Sequence, residues 1–309
     1  MKTFPAKILL FGEYSILEGS MALAIPYPSF SGFLKIDDTP SGKLINESGI
    51  LLQGFCNFLK QKHTHFPFLD IYRFEDDIKK GLIFLSNIPQ GYGLGSSGAL
   101  TAAVYDHYKS QEIALTVTDL RLRLALMESF FHGTSSGLDP LVSYTGQPVM
   151  IGSEGNAVLT VGNQWQNLLK KSNAFLVDSK IVGKTEGFVG WFKEQMKFKN
   201  YAAEIHQRYT PAVNQAIESL TNGNIDDFLE AAKMVSRLQI KLLKPMIPTI
   251  FQPLFESGLS TNEYTLKLCG SGGGGYMLGF LNKQITRYWQ TKEFPSDPIF
   301  LLSGDGQKN

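Results

Sequence analysis

The residues whose types and spacing most directly imply chemistry are Gly91-Tyr92-Gly93-Leu94-Gly95-Ser96-Ser97-Gly98-Ala99. They follow an apolar run, Gly81-Leu82-Ile83-Phe84-Leu85, that reads as a strand, and they open a helix-like run from Ala99 to Tyr108. Glycines permit positive φ and close approach of a ligand to the backbone. A glycine turn feeding a helix N-terminus aims several amides at one point, and the helix dipole adds positive charge there. Such a point binds anions, most often phosphate. The two serines add hydroxyls able to reach a phosphate or its Mg²⁺. The same stretch also satisfies G-x-G-x-x-G through Gly93, Gly95 and Gly98, the pattern of a nicotinamide-dependent oxidoreductase. That chemistry requires an acidic residue about 20 positions on, at the end of a second strand. Asp119 has the spacing, but Asp119-Leu120-Arg121-Leu122 reads as a capped helix start. The pattern G-x-x-x-x-G-K-[ST] is absent, which argues against a Walker-type nucleotidase.

The rest of the chain must position this loop. Its 309 residues suffice for two ordinary domains, and 43% apolar with 18% charged residues suits a globular protein with a real core. A net charge of +1 gives no support to nucleic acid or an anionic membrane as partner, so basic groups must act locally. Cys56 and Cys269 give no disulfide framework, and Cys269 reads as a small buried residue. The start, Met1-Lys2-Thr3-Phe4-Pro5, lacks the apolar region of a signal peptide, and no run of 18 apolar residues spans a membrane. A cytoplasmic enzyme is the expectation.

Strands are expected at Ala6–Gly12, around Met21–Ile25, and at Phe30–Ile36, Leu69–Phe74 and Leu82–Ile88. Ile50–Lys60 has helical spacing, and Thr118–Phe131 reads as a helix with Thr118 as N-cap. His132–Pro140 reads as a loop, followed by short strands near Pro148–Ile151 and Ala157–Val161 and another at Phe175–Val177. Beyond Lys184 the pattern is mainly helical: Glu186–Lys197, Tyr201–Leu220, Ile225–Leu243 and Ile247–Glu256. Leu266–Leu268 then enters a second glycine loop, Gly270–Gly275, and Tyr276–Leu281 leaves it as a strand. A strand-rich first half and a helix-rich second half imply an α+β protein of two domains, divided at residues 160 to 175.

Three separated segments together resemble the GHMP kinases: Pro5-Ala6-Lys7-Ile8-Leu9-Leu10-Phe11-Gly12-Glu13-Tyr14, Ile88-Pro89-Gln90 with the glycine loop through Ala99, and Leu268-Cys269-Gly270-Ser271-Gly272-Gly273-Gly274-Gly275. Their order and spacing match across nearly the whole chain. His132-Gly133-Thr134-Ser135-Ser136-Gly137-Leu138-Asp139 resembles the H-G-x-x-S-G-x-D loop of the mevalonate kinase branch. Asp178–Thr185 is similar to that branch's strand and turn. Two departures stand out. Ala6 replaces the usual glycine of P-G-K, and Tyr14 stands where mevalonate kinases have His. The stretch from Gly12 to Gly19 is closer to phosphomevalonate kinases.

The resemblance implies a domain like ribosomal protein S5 domain 2 over residues 1–170 and a ferredoxin-like domain over 171–309, with nucleotide and acceptor meeting between them. It implies ATP and Mg²⁺, and transfer of the γ-phosphoryl group to a hydroxyl of a small carboxylate. Mevalonate comes first, phosphomevalonate second, then a sugar or amino-acid alcohol. An inactive GHMP-like binding protein is a further alternative, which retention of Lys7, Glu128 and Asp139 together argues against. Gly91, Gly93, Leu94, Gly95, Ser96, Ser97 and Gly98 would cradle the phosphates. Ser97 (or Ser96) and Glu128 would supply oxygens to Mg²⁺. Asp139 would take the acceptor's proton, against the plainer reading of a turn residue before Pro140. Lys7 would hold Asp139 ionised and stabilise the transferring group. Glu13, Tyr14, His132, Lys184, Thr185, Gly272 and Gly273 would form the acceptor side. The other histidines, His63, His65, His107 and His206, show no ligand spacing. The implied partner is a small molecule, with the protein a monomer or homodimer.

Overall fold

Phe4–Phe11 forms strand β1 in the computed structural model, which describes residues 2–37, 43–110, 115–159, 164–183, 187–282 and 294–302. The continuous apolar run of β1 has a physical reason: the strand is covered on both faces. Ile8 and Leu10 belong to one buried cluster and Leu9 packs against another, following the two-residue alternation of a strand. The two segments expected at Met21–Ile25 and Phe30–Ile36 are one strand, β2 (Ala22–Ile36). Pro26 and Pro28 suggest a break, but the pairing absorbs them. Pro5 lies opposite Ser31 and Ala6 opposite Tyr27, so residues 28–30 pass in a register shift.

Helix α1 (Lys43–Gln61) precedes α2 (Ile71–Lys79). The latter corrects the strand expected at Leu69–Phe74. Asp70 accepts from the Arg73 amide at 3.0 Å as N-cap, and Ile71, Phe74 and Ile78 recur at helical spacing, which a short window conceals. Strand β3 (Leu82–Ser86) pairs with Gly32–Ile36, and helices α3 (Ser96–Tyr108), α4 (Val117–His132) and α5 (Leu138–Thr145) follow. The N-cap of α4 is Thr116, whose side chain accepts from the Asp119 amide. Thr118 lies inside the first turn, and its hydroxyl accepts from the Ala157 amide at 3.1 Å. The loop expected at His132–Pro140 shrinks to residues 133–137, because His132 still belongs to α4 and Leu138 already belongs to α5. β4 (Val149–Ile151) and β5 (Ala157–Leu159) complete an antiparallel sheet of order β1-β2-β4-β5, with β3 also on β2.

The second half begins with α6 (Gln164–Lys171) and β6 (Phe175–Asp178). Helices α7 (Phe188–Gln195), α8 (Lys199–Glu204), α9 (Thr210–Asn222), α10 (Ile225–Leu242) and α11 (Gln252–Thr261) follow. A single π-turn at Ile205–Tyr209 joins α8 to α9, so the long helix expected from Tyr201 is one path with a bulge. β7 (Tyr264–Leu268), β8 (Tyr276–Leu281) and β9 (Ile299–Phe300) form an antiparallel sheet of order β7-β8-β6-β9. The fold is α+β as expected, with one sheet drawn from residues 4–159 and the other from 175–300. One apolar cluster joins them, since Ile8 and Leu10 share it with Leu176, Val213, Val235 and Leu278. The second cluster lies wholly within the first half, around Phe55, Phe74 and Tyr108. Cys56 and Cys269 are buried free thiols. No helix among the described residues is long and apolar enough to cross a membrane.

Candidate active site

The glycine loop leaves β3 and delivers α3 with its N-terminus open. Gly91, Gly93 and Gly95 all have φ between +72° and +75°. Gly95 is the N-cap of α3 and contributes no capping side chain, so the first-turn amides are not occupied from that side. The Lys7 amide donates to Leu94 O at 3.0 Å, pinning the loop to β1, while the Leu94 side chain is buried in the core. Gly95 has a second reason to be glycine. A Cβ there would stand 2.9 Å from Lys7 Cγ and 3.2 Å from Asp139 Oδ2. Gly95→Ala is therefore expected to destabilise by more than the ~1–2 kcal/mol of positive φ alone. Gly19→Ala supplies the comparison in urea unfolding, because Gly19 has φ +80° and nothing near its missing Cβ. Equal losses would show that Lys7 and Asp139 do not crowd the position. Gly98 does not face an open site. Its missing Cβ would lie 2.8 Å from the Asp139 Cβ and from Pro140 N, so glycine there lets α3 touch α5.

Three ionisable groups converge under this loop. Lys7 Nζ lies 3.1 Å from Asp139 Oδ1, with the Lys7 side chain 5% exposed and that of Asp139 29% exposed. Burial is the largest single influence and works against the Lys7 charge, but the Asp139 carboxylate, Cys269 and Glu128 together outweigh it, so the ammonium is held above its ordinary range. Glu128 on α4 is buried. Its Oε1 accepts from Ser97 Oγ at 3.1 Å and its Oε2 accepts from Ser135 Oγ. Burial, then the charge of Asp139, pushes the Glu128 carboxyl up to about 8, against the two serine hydroxyls and Lys7. Asp139 sits in the first turn of α5, behind the left-handed Gly137. The arrangement can hold an anion at the α3 N-terminus, take a proton at Asp139 and keep both beside a fixed cation. Glu128 and Ser97 offer hard oxygens that suit Mg²⁺, which takes one or two carboxylates and fills the rest with water and phosphate. No group of three or more His, Cys, Asp or Glu among the described residues could hold a metal unaided.

The acceptor-side expectations divide. Tyr14, with φ +61°, packs its ring 5.3 Å from that of Phe192 and donates to Ser271 O at 2.5 Å, tying the first motif to the third. Glu13 is turned inward. Its carboxylate meets Lys267 Nζ at 2.5 Å with both side chains 0% exposed. Burial raises the Glu13 pKa and Lys267 opposes that. The Gly273 amide donates to Met246 O at 2.6 Å, and Met246 fills the space a Cβ on Gly272 would need. These two glycines thus seat the third loop against the turn after α10. His132 ends α4, but its side chain lies outside the described residues, as do Lys184 and Thr185.

Sequence reasoning passed over several residues. Lys267 carries a charge between Leu266 and Leu268 in a fully buried strand, and a lysine in such a run signals a buried partner. Lys267→Met should cost about 3–5 kcal/mol by stranding Glu13, while adding Glu13→Gln to it should recover most of the loss; thermal unfolding of the single and double variants decides. A double variant as unstable as the single would overturn this. Gly183 has no role of its own within the Asp178–Thr185 stretch by sequence, yet its amide donates to Gly91 O at 2.9 Å, and a Cβ there would stand 2.8 Å from that oxygen. Gly93 likewise abuts Cys269 O, and Gly275 abuts Tyr92. The glycines of three distant segments are close because their backbones touch one another.

The family model described as GHMP kinases N terminal domain matches residues 53–147. The mevalonate kinase of Thermococcus sibiricus is 27% identical over 161 residues, covering 46% of this chain and 48% of the relative, so the chain spans about half the length of the curated relatives it matches. Among solved structures, L. major mevalonate kinase in complex with R-mevalonate superposes with a TM-score of 0.60 at 17% identity, covering 91% of this chain and 87% of that one. Streptococcus pneumoniae phosphomevalonate kinase in complex with phosphomevalonate and AMPPNP gives a TM-score of 0.57 at 16% identity, covering 91% and 92%. The structural likeness speaks for the fold, and in the matched sequence segments this chain resembles the GHMP kinase superfamily and, within it, the mevalonate kinase-like branch.

Proposed function

We propose that this chain is an ATP-dependent kinase that transfers the γ-phosphoryl group to a hydroxyl of a small carboxylate, with mevalonate the first candidate. One observation carries the reading: the Lys7–Asp139 pair at 3.1 Å lies directly against Gly95, the N-cap of α3, with Glu128 on Ser97 beside it. In this reading residues 1–170 form the ATP-binding domain and 171–309 the second domain. The amides of residues 93–97 hold the phosphates, and Ser97 with Glu128 holds Mg²⁺. When bound, that cation would neutralise charge on the phosphates. Asp139 accepts the proton of the acceptor hydroxyl as its oxygen bonds to the γ-phosphorus and the bond to the ADP oxygen breaks. Lys7 stabilises the charge that grows on the transferring oxygens. Leu94 and Gly98 serve through backbone placement. Tyr14 and Glu13 shape the acceptor side by fixing the third glycine loop.

Phosphomevalonate is the second reading, favoured by Tyr14 and the Gly12–Gly19 stretch around it. The test is Mg²⁺- and ATP-dependent ADP release across mevalonate, phosphomevalonate, homoserine and galactose. Turnover with one acceptor identifies the substrate. No turnover with any of them, despite Mg–ATP binding, would overturn the small-carboxylate assignment.

A further inference from the structure

The loop between α4 and α5, residues 133–137, makes a contact that the reading above does not use. Ser135 Oγ donates to Glu128 Oε2, and the same oxygen accepts the Gly137 amide at 2.9 Å. A hydroxyl has one proton to give. Here it goes to the carboxylate, and the backbone amide on the lone pair fixes its direction. Glu128 is thereby held at both oxygens, by Ser97 of α3 at Oε1 and by the loop at Oε2. Ser136 braces the same helix entry without touching Glu128, its Oγ accepting from the Leu138 amide at 3.3 Å. The loop is itself braced. Arg121, two turns earlier on α4, donates to Ser136 O at 2.6 Å and to Gly155 O at 3.0 Å, and its own carbonyl occupies the space beside Gly137. Gly137 then admits α5, which carries Asp139.

We infer that Ser135 is a positioning residue of the phosphoryl-transfer site: it fixes the Glu128 carboxylate so that Oε1, beside Ser97, faces a divalent cation, and it ties that carboxylate to the loop that sets Asp139. The inference rests on the kinase reading. Its chemistry follows from burial. Glu128 without Ser135 would keep one hydroxyl partner and leave a buried oxygen unsatisfied, free to turn toward another donor. A loop contact of this kind affects cation affinity and the chemical step together, and leaves binding of the acceptor largely alone.

The experiment compares wild type, Ser135→Ala and Ser135→Thr. Mg²⁺ is titrated calorimetrically in the presence of ADP, and kcat, the Mg²⁺ dependence and the acceptor KM are measured alongside. Ser135→Ala is expected to weaken Mg²⁺ binding by about tenfold to a hundredfold, the range for a lost hydrogen bond to a charged group. It should lower kcat by a similar factor, with acceptor KM within about twofold, and Ser135→Thr should restore both. Wild-type Mg²⁺ affinity in Ser135→Ala overturns the inference, whatever its thermal stability. Should Ser135→Ala fail to fold, Ser135→Cys, which keeps the shape with a weak donor, is read by the same two outcomes. Failure of the wild-type chain to bind Mg²⁺ with ADP would overturn the kinase reading instead.

Discussion

Asp139→Asn is expected to lower kcat for phosphoryl transfer by about 10²–10⁴-fold while Mg–ADP still binds. The amide keeps the shape of the carboxylate but can neither accept the acceptor's proton nor balance Lys7. Removing the charge has a second consequence. Lys7 is 5% exposed in its side chain, and Asp139 is the main influence holding its charge against burial. Without that carboxylate the ammonium becomes easier to deprotonate, so residual activity should fall at a lower pH on the alkaline side than in wild type. Single-turnover kinetics across pH, with calorimetry for Mg–ADP, measures both. Turnover within threefold of wild type (a factor far below the roughly hundredfold minimum of a general base) would remove Asp139 from the role of base.

Glu128→Gln should separate cation binding from folding. In the folded chain the Glu128 carboxyl is raised from its ordinary 4.5 to about 8, by burial first and by Asp139 second. The folded state therefore holds this proton more tightly than the unfolded state. Any stability linked to it is fully present below about 4.5, falls as pH rises through the window, and is gone above about 8. Gln needs no proton, so Glu128→Gln should gain stability relative to wild type as pH rises from 4.5 to 8, by the order of a few kcal/mol at the top. Mg²⁺ behaves oppositely. It competes with the proton, so wild-type Mg²⁺ affinity should climb roughly tenfold per pH unit below about 8 and then level. In Glu128→Gln it should be weak and nearly flat. Urea unfolding and Mg²⁺ titration from pH 5 to 9 read the two trends, and a pH-independent wild-type Mg²⁺ affinity would sink this assignment. Asp139→Asn gives a cross-check, because losing that neighbouring charge should move the Mg²⁺ midpoint to lower pH.

Much of the site was legible because its chemistry is local in sequence. Gly93-Leu94-Gly95-Ser96-Ser97-Gly98 announces a tight turn feeding a helix, and the structure has that turn with Gly95 as the N-cap. Lys7 and Asp139 belong to separate motifs, and they stand 3.1 Å apart. Elements failed where the local pattern was ambiguous. Ile71–Phe74 is too short to distinguish strand from helix until the cap at Asp70 and the return of Ile78 are counted. The prolines of β2 mask a continuous strand, because the partner strand absorbs them in a register shift. Thr116 and Thr118 are both plausible caps by residue type, and only the position of Ala157 decides that Thr118 bonds across to β5.

The sequence by itself determined the α+β class, the glycine loop and the residues that converge on it, since propensity, periodicity and glycine placement are properties of neighbouring residues. Only the tertiary structure decided which polar groups face inward. Glu13 and Lys267 stand 254 positions apart, and nothing near either one specifies the other. The same holds for the third glycine loop, whose Gly272 and Gly273 seat on Met246, and for Ser135, which reads as one loop serine among two until it meets Glu128. A buried charge or hydroxyl must find its partner wherever the fold supplies one, and that partner is set by packing between distant elements rather than by the residues beside it.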